Sequence, residues 1–142
     1  LEVGLRRVGA MAPRRGLVVV ISDFATDPEL WGTALGTVAL RHSVLCIEVL
    51  DPRDLDLPKV GLIEFADPAT GRVREVNTDS ARVREQYAAE AQARRDALRA
   101  TIRGAGADHV LMRTDGDWVM DLARHVSRRR HRAEVMAGRN PR

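Results

Sequence analysis

The carboxylates of this sequence offer its first candidate chemistry. Asp23 closes the run "VVVISDF", Val18 to Phe24, in which β-branched residues lead straight into Ser22 and Asp23. A carboxylate where a buried strand stops can form an Asx turn or cap a helix, ligate a hard divalent cation, or act as a base or nucleophile. A second set, Asp51, Asp54 and Asp56, lies in "DPRDLDLP". Paired aspartates can hold Mg²⁺ for phosphoryl transfer, but these follow a proline-bearing link and read as a solvated loop.

Other chemistries fail by motif. There is no GxxxxGK[ST], and Lys59, the only lysine, lies in the irregular link. "GAGAD", residues 104 to 108, carries a glycine pair between a helix and a strand, the reverse of the dinucleotide fingerprint. Ser22 has no GxSxG elbow. His42, His109, His125 and His131 lack metal-ligand spacing and read as surface or core-edge residues. Cys46, inside "SVLCIEVL", reads as a small buried hydrophobe.

The elements that must position Asp23 follow from hydrophobic period. Leu1, Leu5 and Val8 share helical spacing in "LEVGLRRVGAM", and "APRRG" then breaks the helix. Leu17 to Ser22 is apolar on both faces, which predicts a central parallel strand. Asp27 as N-cap, Pro28 and Glu29 open a helix whose apolar face is Leu30, Trp31, Ala34, Leu35 and Val38. A second strand, Val44 to Leu50, completes a β-α-β unit with parallel neighbours.

"LIEFADPATGRVREV" reads as a hairpin whose turn begins at Asp67 and Pro68 and closes on Gly71 at positive φ. A long helix opens at Asp79 or Ser80 and ends near Gly104 or Gly106, with Val83, Tyr87, Ala91, Leu98 and Ile102 on one stripe. A strand, "DHVLMRT", and a last helix, "DGDWVMDLARHVSRRR", follow. The order predicts a three-layer, doubly wound α/β fold with a mostly parallel sheet and an inserted β-hairpin.

Charge divides unevenly along the 142 residues. Residues 1–127 carry 17 Lys and Arg against 19 Asp and Glu, whereas residues 128–142 carry six Arg against one Glu. The expected organisation is an α/β domain over 1–127 and a basic, mobile tail over 128–142. The body has no basic stripe with interleaved aromatics, so nucleic acid is not the expected partner, although the tail could bind it with steep salt dependence. One cysteine excludes a disulfide framework, and no run of eighteen apolar residues spans a membrane, so a reducing, cytoplasmic setting is expected. The sequence begins at Leu1 rather than Met, and the expectation is a piece of a longer protein.

The segments "RRGLVVVISDF", "RHSVLCIEVLDPRDLDLPKVGLIEFADPATGRVREVNT" and "ADHVLMRTDGDW" together resemble the C-terminal part of domain-of-unknown-function family 58. The likeness runs from about Arg14 to about Arg128. Members are bacterial proteins associated with MoxR-type AAA+ ATPases, and they contain a von Willebrand factor A-like domain. The resemblance implies that Asp23 matches the last aspartate of the metal-ion-dependent adhesion site. Ser22 then stands for the Thr, and Phe24 for the Gly, of Thr-Asp-Gly.

No D-x-S-x-S occurs in the sequence. In the family that motif lies on an upstream strand, so at best an incomplete metal site, Asp23 with Ser22 as a weaker ligand, is expected here. Mg²⁺ or Mn²⁺ is expected only in a longer protein. Without that strand, the edge of Leu17 to Ser22 should be bare and should pair with a second copy.

The resemblance therefore implies a non-enzymatic protein-interaction scaffold that works with a MoxR-type ATPase in assembly or maturation of complexes. The alternative is a metal-dependent hydrolase or phosphotransferase, which needs Asp23 to converge with Asp51, Asp54 or Asp56.

Overall fold

A computed structural model describes residues 1–66 and 71–138, with side chains as far as Arg129. In chain order the elements are α1 (Glu2–Met11), β1 (Leu17–Ser22), α2 (Pro28–Ala39), β2 (Ser43–Leu50), a 3₁₀ turn (Pro52–Asp54), β3 (Leu62–Ala66), β4 (Val73–Asn77), α3 (Ala81–Gly104), β5 (Asp108–Arg113) and α4 (Trp118–Gly138). The chain divides into two compact units, Leu1–Leu50 with Leu98–Arg142, and Asp51–Ala97.

The first unit is built on a parallel sheet in the order β1-β2-β5. α2 opens as its residues dictate: the Asp27 carboxylate accepts the Glu29 N–H at 3.0 Å, and Pro28 occupies the first turn. β1, α2 and β2 form the expected β-α-β unit, with Leu17 level with Ser43 and Ser22 level with Glu48. On one sheet face, Val20, Val44 and Cys46 pack with Leu5 of α1, Trp31, Leu35 and Val38 of α2, and Leu98 and Ile102 of α3. On the other face, Leu45, Ile47, Val110 and Met112 pack with Leu122 of α4. Each large aliphatic side chain fully withdrawn from water here contributes roughly 2 kcal/mol. Helices thus cover both faces, an arrangement compatible with a Rossmann-like fold.

The turn from α3 into β5 explains the glycine pair. Gly106, at φ 75°, follows the helix; its N–H donates to the Arg103 carbonyl, and the Ala107 N–H donates to the Ile102 carbonyl. This is a Schellman closure, so "GAGAD" ends a helix rather than cradling a phosphate.

The second unit carries the hairpin. β3 and β4 are antiparallel, with Leu62 opposite Asn77 and Ala66 opposite Val73. The expected turn at Asp67 and Pro68 lies outside the described residues, while Gly71 has the anticipated positive φ, 67°. Thr78, fully buried, donates its hydroxyl to the Gly61 carbonyl at 2.7 Å and accepts the Val60 N–H at 3.1 Å, tying the hairpin base together. Phe65 stacks on Tyr87 of α3 at 6.5 Å between ring centroids, and the Tyr87 hydroxyl donates to the Asp54 carbonyl.

Three expectations are corrected. β1 is parallel but forms an edge of the described sheet rather than its centre, and Leu17, Val19 and Ile21 are 57%, 45% and 67% exposed. Its continuous apolar run is consumed on one face only, because α4 covers β2 and β5 without reaching β1. Leu30, placed on the apolar face of α2, is exposed, since that face is centred on Trp31, Leu35 and Val38. α4 also continues to Gly138, beyond the arginine run where the sequence pattern ends it.

Candidate functional site

Asp23 sits at the carboxyl end of β1, directly after Ser22, where a parallel sheet presents its ligand-binding crevice. Its carboxylate accepts the Ala25 N–H at 3.1 Å and the Ser22 hydroxyl at 3.3 Å, and Ser22 Oγ accepts the Phe24 N–H at 3.0 Å. The first of these bonds is an Asx turn. Side chains are therefore spent on bending the backbone sharply out of the strand.

The bend is unusual at its third residue. Phe24 has φ 51°, the only positive φ among described non-glycine residues. A bulky residue in that region costs roughly 1 to 2 kcal/mol. Burial offsets this cost: the Phe24 ring is only 6% exposed and lies 5.3 Å from the Trp31 ring, tilted by 51°. Trp31 in turn donates its indole N–H to the Thr26 carbonyl at 3.3 Å. An apolar lock from α2 thus holds an exposed carboxylate at the strand end.

The other candidate aspartates have local duties. Asp51 accepts the Arg53 N–H at 2.9 Å and opens the 3₁₀ turn, and Asp54 and Asp56 are exposed. Among the described residues, no three His, Cys, Asp or Glu side chains gather in a way that could hold a metal ion. A hard divalent cation takes six or more oxygen ligands, and the β1 turn offers Ser22 and Asp23. These residues alone do not make a cation site.

One polar pair escaped the motif reading. Glu48 is 2% exposed within β2, and its Oε2 lies 2.9 Å from His109 Nε2 on β5. His109 is level with Cys46 and Glu48 with Leu111, so the two side chains meet diagonally on the sheet face that α2 covers. The approach is close, but it is not an in-line N–H···O bond. Ser22 is level with Glu48 on β1, which places this buried carboxylate one strand from the site turn. The sequence signal was a single acid in an otherwise apolar strand, on the same side as Val44 and Cys46.

The thiol of Cys46 belongs to the same face and is fully buried, which pushes it up to about 11. At the end of β5, Arg113 donates two hydrogen bonds of 2.9 Å to Asp115. The guanidinium holds the Asp115 carboxyl below its usual range.

The family described as protein of unknown function DUF58 matches residues 1–97, which include the site turn, β2 and the hairpin. The chain belongs to the DUF58 family. An uncharacterized protein of Mycobacterium avium is 47% identical to this DUF58 chain over 126 residues, covering 89% of this chain and 72% of that protein. An uncharacterized protein of Mycobacterium tuberculosis is 48% identical over 120 residues, covering 84% of this chain and 37% of that protein. The chain thus spans little more than a third of the tuberculosis relative. A protein of Paracoccus denitrificans, called an uncharacterized protein in the moxR 3′ region, is 42% identical over 65 residues, covering 45% of this chain and 61% of its own length. No solved structure matches.

Proposed function

We propose that this DUF58 chain is a non-enzymatic interaction scaffold of von Willebrand A type that works with a MoxR-type AAA+ ATPase in assembly or maturation of protein complexes. The observation that carries the reading is the β1 turn. Phe24, in the place that the resemblance gives to the Gly of Thr-Asp-Gly, has a left-handed backbone of the kind glycine adopts most easily, and Asp23 stays exposed at the strand end. The Paracoccus relative, whose name places it beside moxR, supports the choice of partner.

The divalent cation of such domains needs ligands beyond Ser22 and Asp23, so no step of this function is routed through it. Recognition by this chain rests on a rigid, outward-facing carboxylate that a basic or hydrogen-bonding group of the partner can meet.

The scaffold also pairs with itself. The outer edge of β1 is unpaired among the described residues, Leu17 to Ser22 contains no charged residue to oppose strand addition, and Leu17, Val19 and Ile21 are exposed beside it. A second copy adding at this edge would bury that apolar row. Co-elution of the purified protein with a MoxR-type ATPase of the same genome on gel filtration tests the scaffold reading, and separate elution would overturn it.

A further inference from the structure

β5 is the opposite edge of the described sheet, and its surroundings differ from those of β1. Two adjoining cavities of about 450 and 390 Å³ run along it, sharing His109, His125 and Arg128. Ala107, Asp108 and His109 line the first, and Val110, Leu111 and Arg113 extend the second. Successive strand residues point to opposite faces, so a groove lined by consecutive residues follows the strand's edge rather than either face. Arginines stand on both flanks: Arg99 and Arg103 from the end of α3, and Arg124, Arg128 and Arg129 from α4.

Among the described residues, six arginines, counting Arg113, line the groove against two carboxylates, Asp108 and Asp121. Arg129 lies 3.5 Å from Asp108 and Arg124 lies 3.2 Å from Asp121, so both carboxylates are already engaged. Arg113 is held by Asp115 in the same way, which leaves Arg103 and Arg128 as the cations offered to an incoming anion. His125 Nε2 is buried at its wall and has no hydrogen-bond partner, a polar atom that an incoming group can satisfy.

We propose that this edge docks an extended acidic segment of a partner protein. The segment adds to β5 as a further strand, and its carboxylates, alternating between the two flanks, meet Arg103 on one side and Arg128 on the other. Strand addition explains an elongated groove, which a single small anion would not need. Among the described residues, no Phe, Tyr or Trp lines either cavity, so the large-ring stacking platform that single-stranded nucleic acid uses is lacking there. This site is separate from the β1 turn, and its failure would leave the function proposed above untouched.

The test is fluorescence anisotropy of the full chain with a labelled seven-residue peptide, Glu-Glu-Val-Val-Glu-Glu-Val, whose adjacent glutamates face both flanks of an extended strand. Three competitors are used: a version with every Val replaced by Pro, a deoxythymidine oligonucleotide, and inorganic phosphate. The expected result is saturable binding, weakened roughly tenfold by Arg103→Glu and by Arg128→Glu, with no competition from the proline version, which cannot complete the ladder. Arg6→Glu, on exposed α1, controls for net charge and should leave binding within twofold. Circular dichroism confirms that the variants fold. The proposal is overturned if the peptide does not bind, if the proline version or the oligonucleotide competes as well as the peptide itself, if phosphate at equal concentration displaces it, or if Arg6→Glu weakens binding as much as the groove variants.

Discussion

Glu48 and His109 meet at 2.9 Å across neighbouring parallel strands, and Glu48 is among the most completely buried side chains of the protein. A carboxylate withdrawn from water is tolerated only while its partner compensates the lost hydration. Glu48→Ala or His109→Ala should therefore cost on the order of 3 kcal/mol in urea unfolding, because each removes a close partner from a buried polar group. The double variant Glu48→Leu/His109→Leu should recover most of that loss. Two single variants within about 0.5 kcal/mol of wild type would show that the pair carries no such burden.

Phe24 combines a disfavoured backbone with a buried ring, and two substitutions separate the terms. Phe24→Ala loses the ring and keeps the left-handed strain, a cost of roughly 3 to 5 kcal/mol. Phe24→Gly loses the ring but releases the strain, so it should be more stable than the alanine variant by about 1 kcal/mol. Thermal or urea melts of the pair decide it, and an alanine variant as stable as the glycine variant would remove the argument for a strained site turn.

The Cys46 thiol links stability to alkaline pH. Burial raises it from an ordinary 9.0 to about 11, so between those values the unfolded chain has released a proton that the folded chain still holds. Stability contributed by the neutral thiol is fully present below pH 9 and declines as pH rises towards 11, by up to about 2 kcal/mol. Cys46→Ala should flatten that part of the pH profile, and a thiol reagent at pH 8 should react only as fast as the protein unfolds. Rapid labelling of the folded protein would contradict the burial.

The bare β1 edge predicts association. Small-angle scattering over a concentration series should show a dimer, and Val19→Lys or Ile21→Lys should return it to the monomer, since a charge on that row opposes strand pairing. A monomer at the highest concentration would end the self-pairing proposal.

The sequence made the elements legible wherever a local rule acts alone. The Asp27 cap, the Pro28 start, the β-α-β order and the buried apolar run of β2 all follow from side chains and their neighbours in the chain. What it hid depends on contacts between distant segments. An apolar run reads as a central strand whether or not anything covers its second face, so Leu17, Val19 and Ile21 misled. His109 reads as a core-edge histidine until register brings it beside Glu48, 61 positions earlier. Asp23 was found because a strand end is a local signal, but the left-handed Phe24 and its lock on Trp31 could not be read from residue type, since a bulky residue argues against positive φ. The groove along β5 stayed hidden because five of its six arginines come from two helices separated by that strand.

The central claim is that the strand-end carboxylate of Asp23 engages a MoxR-type ATPase. Its most direct test is a calorimetric titration of that ATPase into the protein, with Asp23→Asn alongside. Asparagine preserves the acceptor that the Ala25 N–H uses and removes only the charge, so the turn and the stability should be retained. The account predicts binding by the wild type, weakened roughly tenfold or more by the substitution at unchanged melting temperature. Equal affinity for both proteins, or no binding by either, would contradict it.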